Sequence, residues 1–305
     1  MNAPRIALVT CAALPALDPD DRLLAEALRE LGAEVETPVW NAPAVEWRRY
    51  DLALLRSPWD YHLERDRFVA WAAATATVTT LLNPSTVIAW NTDKSYLRAL
   101  AEQGVPTVPT AWVERERAAA RLAAAVASGG WSGRDVIVKP TIGLGSSGLL
   151  RVSPGEQGDA GQAHLARLVA DGDVMVQPFL DSLEREGELS LVYFGGELSH
   201  VVRKRPVAGE FRVQPEFGAA AIPEQPTEKQ LEVAGRALAA IGAMTADSES
   251  ELVYARVDLV TGDDGTPLLM ELELVEPTLY LESAPGSADR LARLVVERAT
   301  DAAVV

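Results

Sequence analysis

The pattern of apolar runs changes character part-way along the chain. Arg5 to Thr10 is a short apolar run ending in a loop, and Pro19 to Leu31 carries Leu23, Leu24, Ala27, Leu28 and Leu31 at helical spacing before Gly32. Ala33 to Val39 and Asp51 to Leu55 read as further strands, which makes the first segment a small three-layer α/β unit. From Val136 the texture is different. Short β-rich runs (Val136 to Lys139, Leu149 to Val152, Val174 to Gln177, Leu189 to Phe194, Leu198 to Arg203) follow one another across tight glycine turns, with one helix near Gln162 to Ala170. Such a succession predicts antiparallel sheet, so the fold class is α/β followed by α+β.

Between the two textures, Thr92 to Gln103 reads as a helix capped by Asn91 or Thr92 and closed by Gly104, and a boundary belongs near its start. The alanine-rich stretch Arg117 to Ala127 and the segments Thr227 to Ile241 and Ala288 to Ala299 read as helices. Val253 to Val260 and Pro267 to Val275 form a hairpin across Thr261 to Thr266. The expected domains are 1–90, 91–180 and 181–305.

With 305 residues, 48% of them apolar and 24% charged, the chain can bury more than one domain's core. The single cysteine, Cys11, cannot form an internal disulfide, which fits a reducing cytoplasm. No apolar run reaches the roughly 18 residues of a membrane span, and the start lacks a signal peptide's long apolar region. A cytoplasmic protein without membrane contact is therefore expected. The net charge of −16 opposes a nonspecific grip on nucleic acid, so any anionic ligand needs a local concentration of cations. Lysines are few: Lys94, Lys139, Lys204 and Lys229.

Gly143-Leu-Gly145-Ser146-Ser147-Gly148 spells G-x-G-x-x-G, but a strand-like run follows it, not the helix of a dinucleotide fold. A glycine-serine loop between antiparallel strands suits a flap whose backbone N–H groups fold over phosphates; a plain flexible hairpin turn is the competing reading. Val136-Ile-Val-Lys139 leads into it. A lysine ending an apolar strand needs an anion or water for its ammonium, and a phosphate beside the loop would serve. Lys94 is weaker evidence, since helix lysines are usually solvated.

The hairpin carries Asp258 on one strand and Glu271 and Glu273 on the other. Residues i and i+2 share a strand face, so Glu271 and Glu273 stand side by side, with Asp258 within a residue or two of register. Three crowded carboxylates call for a cation, and hard oxygen donors suit Mg²⁺ bridging to phosphate; a solvated acidic face is the alternative. Arg256, two residues before Asp258 on the same face, is placed to take a phosphate. Gln177-Pro-Phe179-Leu180, an apolar strand entering a turn, can lay backbone groups against a base edge, and Glu188 beyond it can accept from ribose hydroxyls. A buried strand explains the same residues. Arg203, Lys204, Arg205 and Arg212 cluster cations where an anionic substrate group could bind, or where a sheet edge is simply basic.

In this order, these residues resemble the ATP-grasp superfamily and, within it, the glutathione-synthetase-like branch, over roughly residues 84 to 300. The resemblance implies an ATP-grasp fold behind an N-terminal pre-ATP-grasp domain, with ATP held between two α+β subdomains. It implies that Lys94 and Lys139 bind phosphate, that Gly143 to Gly148 form the mobile phosphate loop, and that Gln177 to Leu180 are the adenine hinge. Glu188 matches the ribose-binding acid. Asp258, Glu271 and Glu273 match three ligand positions for two Mg²⁺, for which Mn²⁺ can substitute. Arg203 and Arg212 match positions for substrate and transferred phosphate, and Lys139, Arg203 and Arg256 are the expected clamps on the moving phosphoryl group. Two departures stand out. Glu273 occupies a position that is most often Asn, and Ser190 one that often carries Arg in glutathione synthetases. The stretch Leu55-Arg56-Ser57-Pro58-Trp59-Asp60-Tyr61-His62 and the Glu276-Pro277 pair are more similar to the cyclo-ligases that form D-cycloserine from O-ureido-D-serine. The implied activity is ATP-dependent ligation of a small amino-acid-like carboxylate to nitrogen, releasing ADP and phosphate. An intermolecular ligase or a non-catalytic nucleotide-binding protein would share many of these residues, and the sequence leaves homo-oligomerisation open. Arg56, Tyr61 and His62 are candidates for holding substrate.

Overall fold

The computed structural model describes residues 3–115, 121–214, 217–245 and 252–302, so residues 117–120 of the alanine-rich stretch lie outside the described residues. Three sheets make up the described chain. In the first, β1 (Arg5–Thr10), β2 (Glu34–Glu36), β3 (Leu52–Ser57) and β4 (Thr80–Leu82) run parallel in the order β2-β1-β3-β4. Strands β1 and β3 are apolar on both faces because helices cover both sides, as parallel sheets require. The helix Pro19–Glu30 buries Leu24, Ala27 and Leu28 on one side, capped by Asp18, which accepts from the Asp20 N–H. The C-terminal helix Ser287–Ala302 packs against it through Leu291, Val295 and Ala299.

The second sheet, β5 (Ala111–Val113), β6 (Val136–Pro140), β7 (Leu150–Val152) and β8 (Val174–Pro178), is antiparallel in the order β5-β8-β6-β7. Alternation sends Val136 and Val138 to one core with the helices Leu122–Ser128 and Ala160–Asp171. Ile137 turns to the opposite side, among Phe179, Leu180 and Val260, and Lys139 shares its parity.

The third sheet joins β9 (Glu188–Phe194), β10 (Glu197–Arg205), β11 (Ala220–Pro223), β12 (Tyr254–Thr261) and β13 (Pro267–Glu273) in the order β11-β10-β9-β12-β13, all antiparallel. Leu189, Leu191, Tyr193, Ala255, Val257 and Leu272 face the helices Glu228–Met244 and Tyr96–Glu102. The opposite face is split along its length. At one end Val192, Phe194, Val202 and Tyr254 pack into the core shared with the first sheet. At the other end the same parity carries Glu188, Ser190, Lys204, Arg256, Asp258, Glu271 and Glu273.

Two expectations need correction. The helix expected over Thr92 to Gln103 begins later, as Tyr96–Glu102, and residues 92–95, Lys94 among them, form a turn between it and a preceding helix, Ser85–Asn91. Asn91 explains the break, because its amide Nδ2 donates to Leu272 O (2.8 Å) and its Oδ1 accepts from the Leu274 N–H (2.8 Å), tying the helix end to β13. Thr92 closes the first helix where an N-cap to the second was expected. The strand expected over Ala33 to Val39 is confined to Glu34–Glu36, with an isolated bridge at Val39.

Candidate active site

The loop of residues 141–149 joins the paired strands β6 and β7, which is the flap topology its glycines suggested. Gly145 and Gly148 adopt left-handed φ of 54° and 72°, and a side chain on Gly148 would also press on Pro140. His164 fastens the end of the loop, its Nε2 lying 2.8 Å from Gly148 O. At the front of the loop Lys94 Nζ donates to Gly143 O (2.7 Å) and pairs with Glu271 (3.0 Å). Lys139 is different. Among the described residues no carboxylate lies within 4 Å of its ammonium, and burial lowers its pKa, an effect that Glu271 offsets and Lys94 adds to. It is a cation facing the cleft between the second and third sheets without a partner of opposite charge.

Register assembles the floor of that cleft. Asp258 sits opposite Glu271 and Ser190, Arg256 opposite Glu273, and Lys204 opposite Glu188. Asp258 is 1% exposed and held from several sides: Ser190 Oγ donates at 2.5 Å, Lys204 Nζ lies at 3.1 Å and Arg256 Nη2 at 2.9 Å. Burial alone would raise its carboxyl, but Arg256 and Lys204 hold it below the usual carboxylate range. Glu271 is likewise kept low against burial by Lys94 and Lys139. Glu273, paired with Arg256, is nevertheless pushed up to about 7 by burial and by the neighbouring Glu271 and Asp258.

Donor chemistry decides whether this face suits a divalent cation. Asp258, Glu271 and Glu273 present only carboxylate oxygens at adjacent positions of β12 and β13. The residues fit Mg²⁺ in kind. In this structure, however, Arg256, Lys94 and Lys204 take those oxygens, and among the described residues no three acidic, His or Cys side chains are grouped as a metal-holding set.

On the side of β6 that Lys139 shares, Ile137, Phe179, Leu180 and Val260 form a buried apolar cluster, with Phe211 and Met270 against them. Phe179 contributes its ring, which meets Phe211 edge-on at 5.6 Å; its backbone N–H donates to Asp135 O and its carbonyl accepts from Arg134. Gln177 is buried with its amide on Thr110 Oγ1 (2.9 Å). Arg203 is held in a fork by Glu224, and Arg212, on the segment between β10 and β11, is bonded to Glu210 and lies 3.7 Å from the centre of the Phe217 ring.

Two residues carry more here than the sequence reading gave them. Lys204 is 5% exposed and ion-paired to both Glu188 and Asp258, so it belongs to the floor of the cleft; strand parity with Val202 was the available signal. Ser190 holds Asp258 in place. Arg56, by contrast, is fully buried on Asp21 (2.8 Å) and Pro277 O (2.7 Å) and makes no ligand-facing surface.

The profile described as "D-cycloserine synthetase DcsG, N-terminal domain" matches residues 6–83. Over 301 residues the chain is 35% identical to the cycloserine biosynthesis protein DcsG of Streptomyces lavendulae, covering 96% of this chain and 98% of that protein. The chain belongs to this family of ATP-grasp ligases. A crystal structure of D-cycloserine synthetase DcsG superposes on the ligase with a TM-score of 0.86 at 35% identity, covering 97% of this chain and 99% of the other. Glutathione synthetase of Prochlorococcus marinus is 28% identical over 232 residues, 73% of this chain and 67% of that protein. A D-alanine–D-alanine ligase from Bacillus anthracis, solved with ATP, shares the fold at a TM-score of 0.64 and 15% identity, covering 98% of each chain. The ligase is therefore an ATP-dependent enzyme with the ATP-grasp fold. No helix among its described residues is long and apolar enough to cross a membrane.

Proposed function

We propose that the enzyme phosphorylates the carboxylate of O-ureido-D-serine with ATP and closes the resulting acyl phosphate to the D-cycloserine ring. The observation that carries this reading is the 35% identity to the cycloserine biosynthesis protein DcsG across nearly the whole of both chains. The substrate carboxylate attacks the γ-phosphorus and ADP leaves; the oxygen-linked nitrogen then bonds the acyl carbon and phosphate leaves. That nitrogen carries the carbamoyl group, so water must remove the group for the free ring to form. A nitrogen tethered in a five-membered geometry can reach an effective molarity of about 10⁵ M or more, so no second substrate site is needed.

In this reading Lys139, Lys94 and the Gly143, Gly145, Ser146, Ser147 and Gly148 backbone hold the phosphates, and the Lys139 ammonium, which among the described residues has no carboxylate within 4 Å, supports it. The apolar cluster around Phe179 and Leu180 takes the adenine, with Gln177 fixing the strand beneath, and Glu188 takes the ribose. Asp258, Glu271 and Glu273 hold Mg²⁺, which neutralises phosphate charge when bound. Arg256 and Lys204 steady the transferring phosphoryl group, and Arg203 and Arg212 the substrate end. The test is incubation with ATP, Mg²⁺ and each enantiomer of O-ureidoserine, following ADP and ring product by mass spectrometry. Stimulation by the D form without added amine is expected. Silence with both enantiomers and turnover with a pair of amino acids would transfer the assignment to an intermolecular ligase.

A further inference from the structure

Among the described residues, one buried carboxyl at the edge of the cleft has no cation within 4 Å. Glu276 follows β13 and is 6% exposed. Its position is fixed through three consecutive carbonyls. Val275 O lies 2.8 Å from the Tyr254 hydroxyl, Glu276 O accepts from the Trp59 indole N–H (3.1 Å), and Pro277 O accepts from Arg56 (2.7 Å). The side chain hydrogen-bonds Tyr61, a buried residue whose ring is stacked on Phe68 at 4.7 Å. The acids beside it are each matched: Glu271 by Lys94, Glu273 and Asp258 by Arg256. Among the described residues no Lys, Arg or His nitrogen lies within 4 Å of Glu276. Burial, with Glu273 adding to it, pushes its carboxyl up to about 8.

A tyrosine hydroxyl satisfies one lone pair of a carboxylate but none of its charge, so the protein alone leaves this group under-compensated. Its surroundings say what kind of cation would reach it. Glu276 lies close enough to Lys94 and Glu271 to feel both, which puts it at the phosphate end of the cleft, where a substrate carboxylate must sit to be phosphorylated. Beside Tyr61, His62 also feels Lys94 and has a buried Nδ1 without a hydrogen-bond partner. An α-amino acid with its carboxylate toward the lysines carries its ammonium on the adjacent carbon.

We propose that Glu276, held by Tyr61, receives the ammonium group of the amino-acid substrate and so selects α-amino acids over acids that lack the amine. This rests on the reading that the enzyme activates an amino-acid carboxylate. The test is calorimetric binding, in the presence of a non-hydrolysable ATP analogue and Mg²⁺, of O-ureido-D-serine and of 3-(ureidooxy)propanoic acid, its counterpart without the amine. Wild type should prefer the amino acid by about 30-fold or more, and Glu276→Gln should reduce that preference to within about threefold, since the buried charge pair is lost. ATP affinity and the thermal melt report whether the variant is folded. If it is not, Tyr61→Phe, which removes one hydroxyl, should still weaken the preference several-fold. A preference that survives intact in whichever variant folds overturns the proposal. Failure of the ring-forming reading looks different: O-ureido-D-serine stays silent with wild type while D-serine or D-alanine binds with the same amine dependence, again lost in Glu276→Gln. Binding by no amino acid overturns both.

Discussion

Arg56→Met isolates the junction between the first sheet and the turn that carries Glu276. The guanidinium is fully buried, donates Nε–H to Asp21 at 2.8 Å and Nη2–H to Pro277 O at 2.7 Å, and stands 5.0 Å from the centre of the Tyr254 ring. Methionine fills similar space but leaves Asp21, 2% exposed, with the Ser57 hydroxyl alone. Removing one partner of a buried pair costs about 3–5 kcal/mol, since the remaining charge keeps its desolvation penalty. Against a typical stability of roughly 5–15 kcal/mol this is a large fraction. At about 2 °C per kcal/mol for a chain of this size, the melting temperature should fall by about 6–10 °C. Trp40, Trp47 and Trp71 cluster against the first sheet, so tryptophan emission during urea unfolding reads the affected region directly. Arg56→Met/Asp21→Asn should recover about 1 kcal/mol or more of the loss, because the orphaned charge is removed as well. A single-variant loss under about 1 kcal/mol, or strict additivity in the double variant, would refute the reasoning.

Lys139→Met should fold normally and lower the rate of ADP release by about 10²–10³, the usual effect of deleting one preorganised donor to transition-state charge. Asp258→Asn and Glu271→Gln should each abolish ADP formation, and ATP titrations should lose most of their affinity in excess chelator; equal affinity with and without Mg²⁺ would count against the carboxylate face as the metal site. Asp20 supplies a pH test. Burial pushes its carboxyl from 3.8 to about 6, and one of its oxygens is buried without a partner. Between these values the folded protein retains a proton that the unfolded chain has released, so this group's contribution to stability is fully present below about 4 and is lost as pH rises through about 6. Asp20→Asn should remove that slope, and urea midpoints measured from pH 4 to 7 should show wild type falling relative to the variant.

Most of the strands were legible because their signals are local. Val136-Ile-Val-Lys139, the glycine loop and the run after it describe a hairpin from period and turn chemistry alone, and β6, β7 and the loop between them follow that pattern. The hairpin of β12 and β13 brought Asp258 opposite Glu271, within the register expected from strand alternation. The helix around Lys94 was misread for the opposite reason. The helix was expected from Thr92, but Asn91 finds its hydrogen-bond partners on β13 and just beyond it, 181 and 183 residues away, and that pairing ends one helix before the next begins at Tyr96. Arg56 looked like a ligand-facing cation because it stands beside Trp59, Tyr61 and His62. Its partners are 35 residues before it and 221 after it.

By itself the sequence determined which side chains share a face, since strand parity and the spacing of apolar residues are properties of neighbouring positions. It also determined that positive charge is scarce, with four lysines in a chain of net charge −16. Only the tertiary structure decided how that charge is distributed: Lys94 to Glu271, Lys204 to Glu188 and Asp258, Arg256 to Asp258 and Glu273, Arg203 to Glu224, with Lys139 facing the cleft and Glu276 left to a tyrosine. Periodicity cannot supply that answer. Attraction between buried charges depends on separations of a few ångströms and on how completely water is excluded, and both are set only when strands distant in the chain come into register.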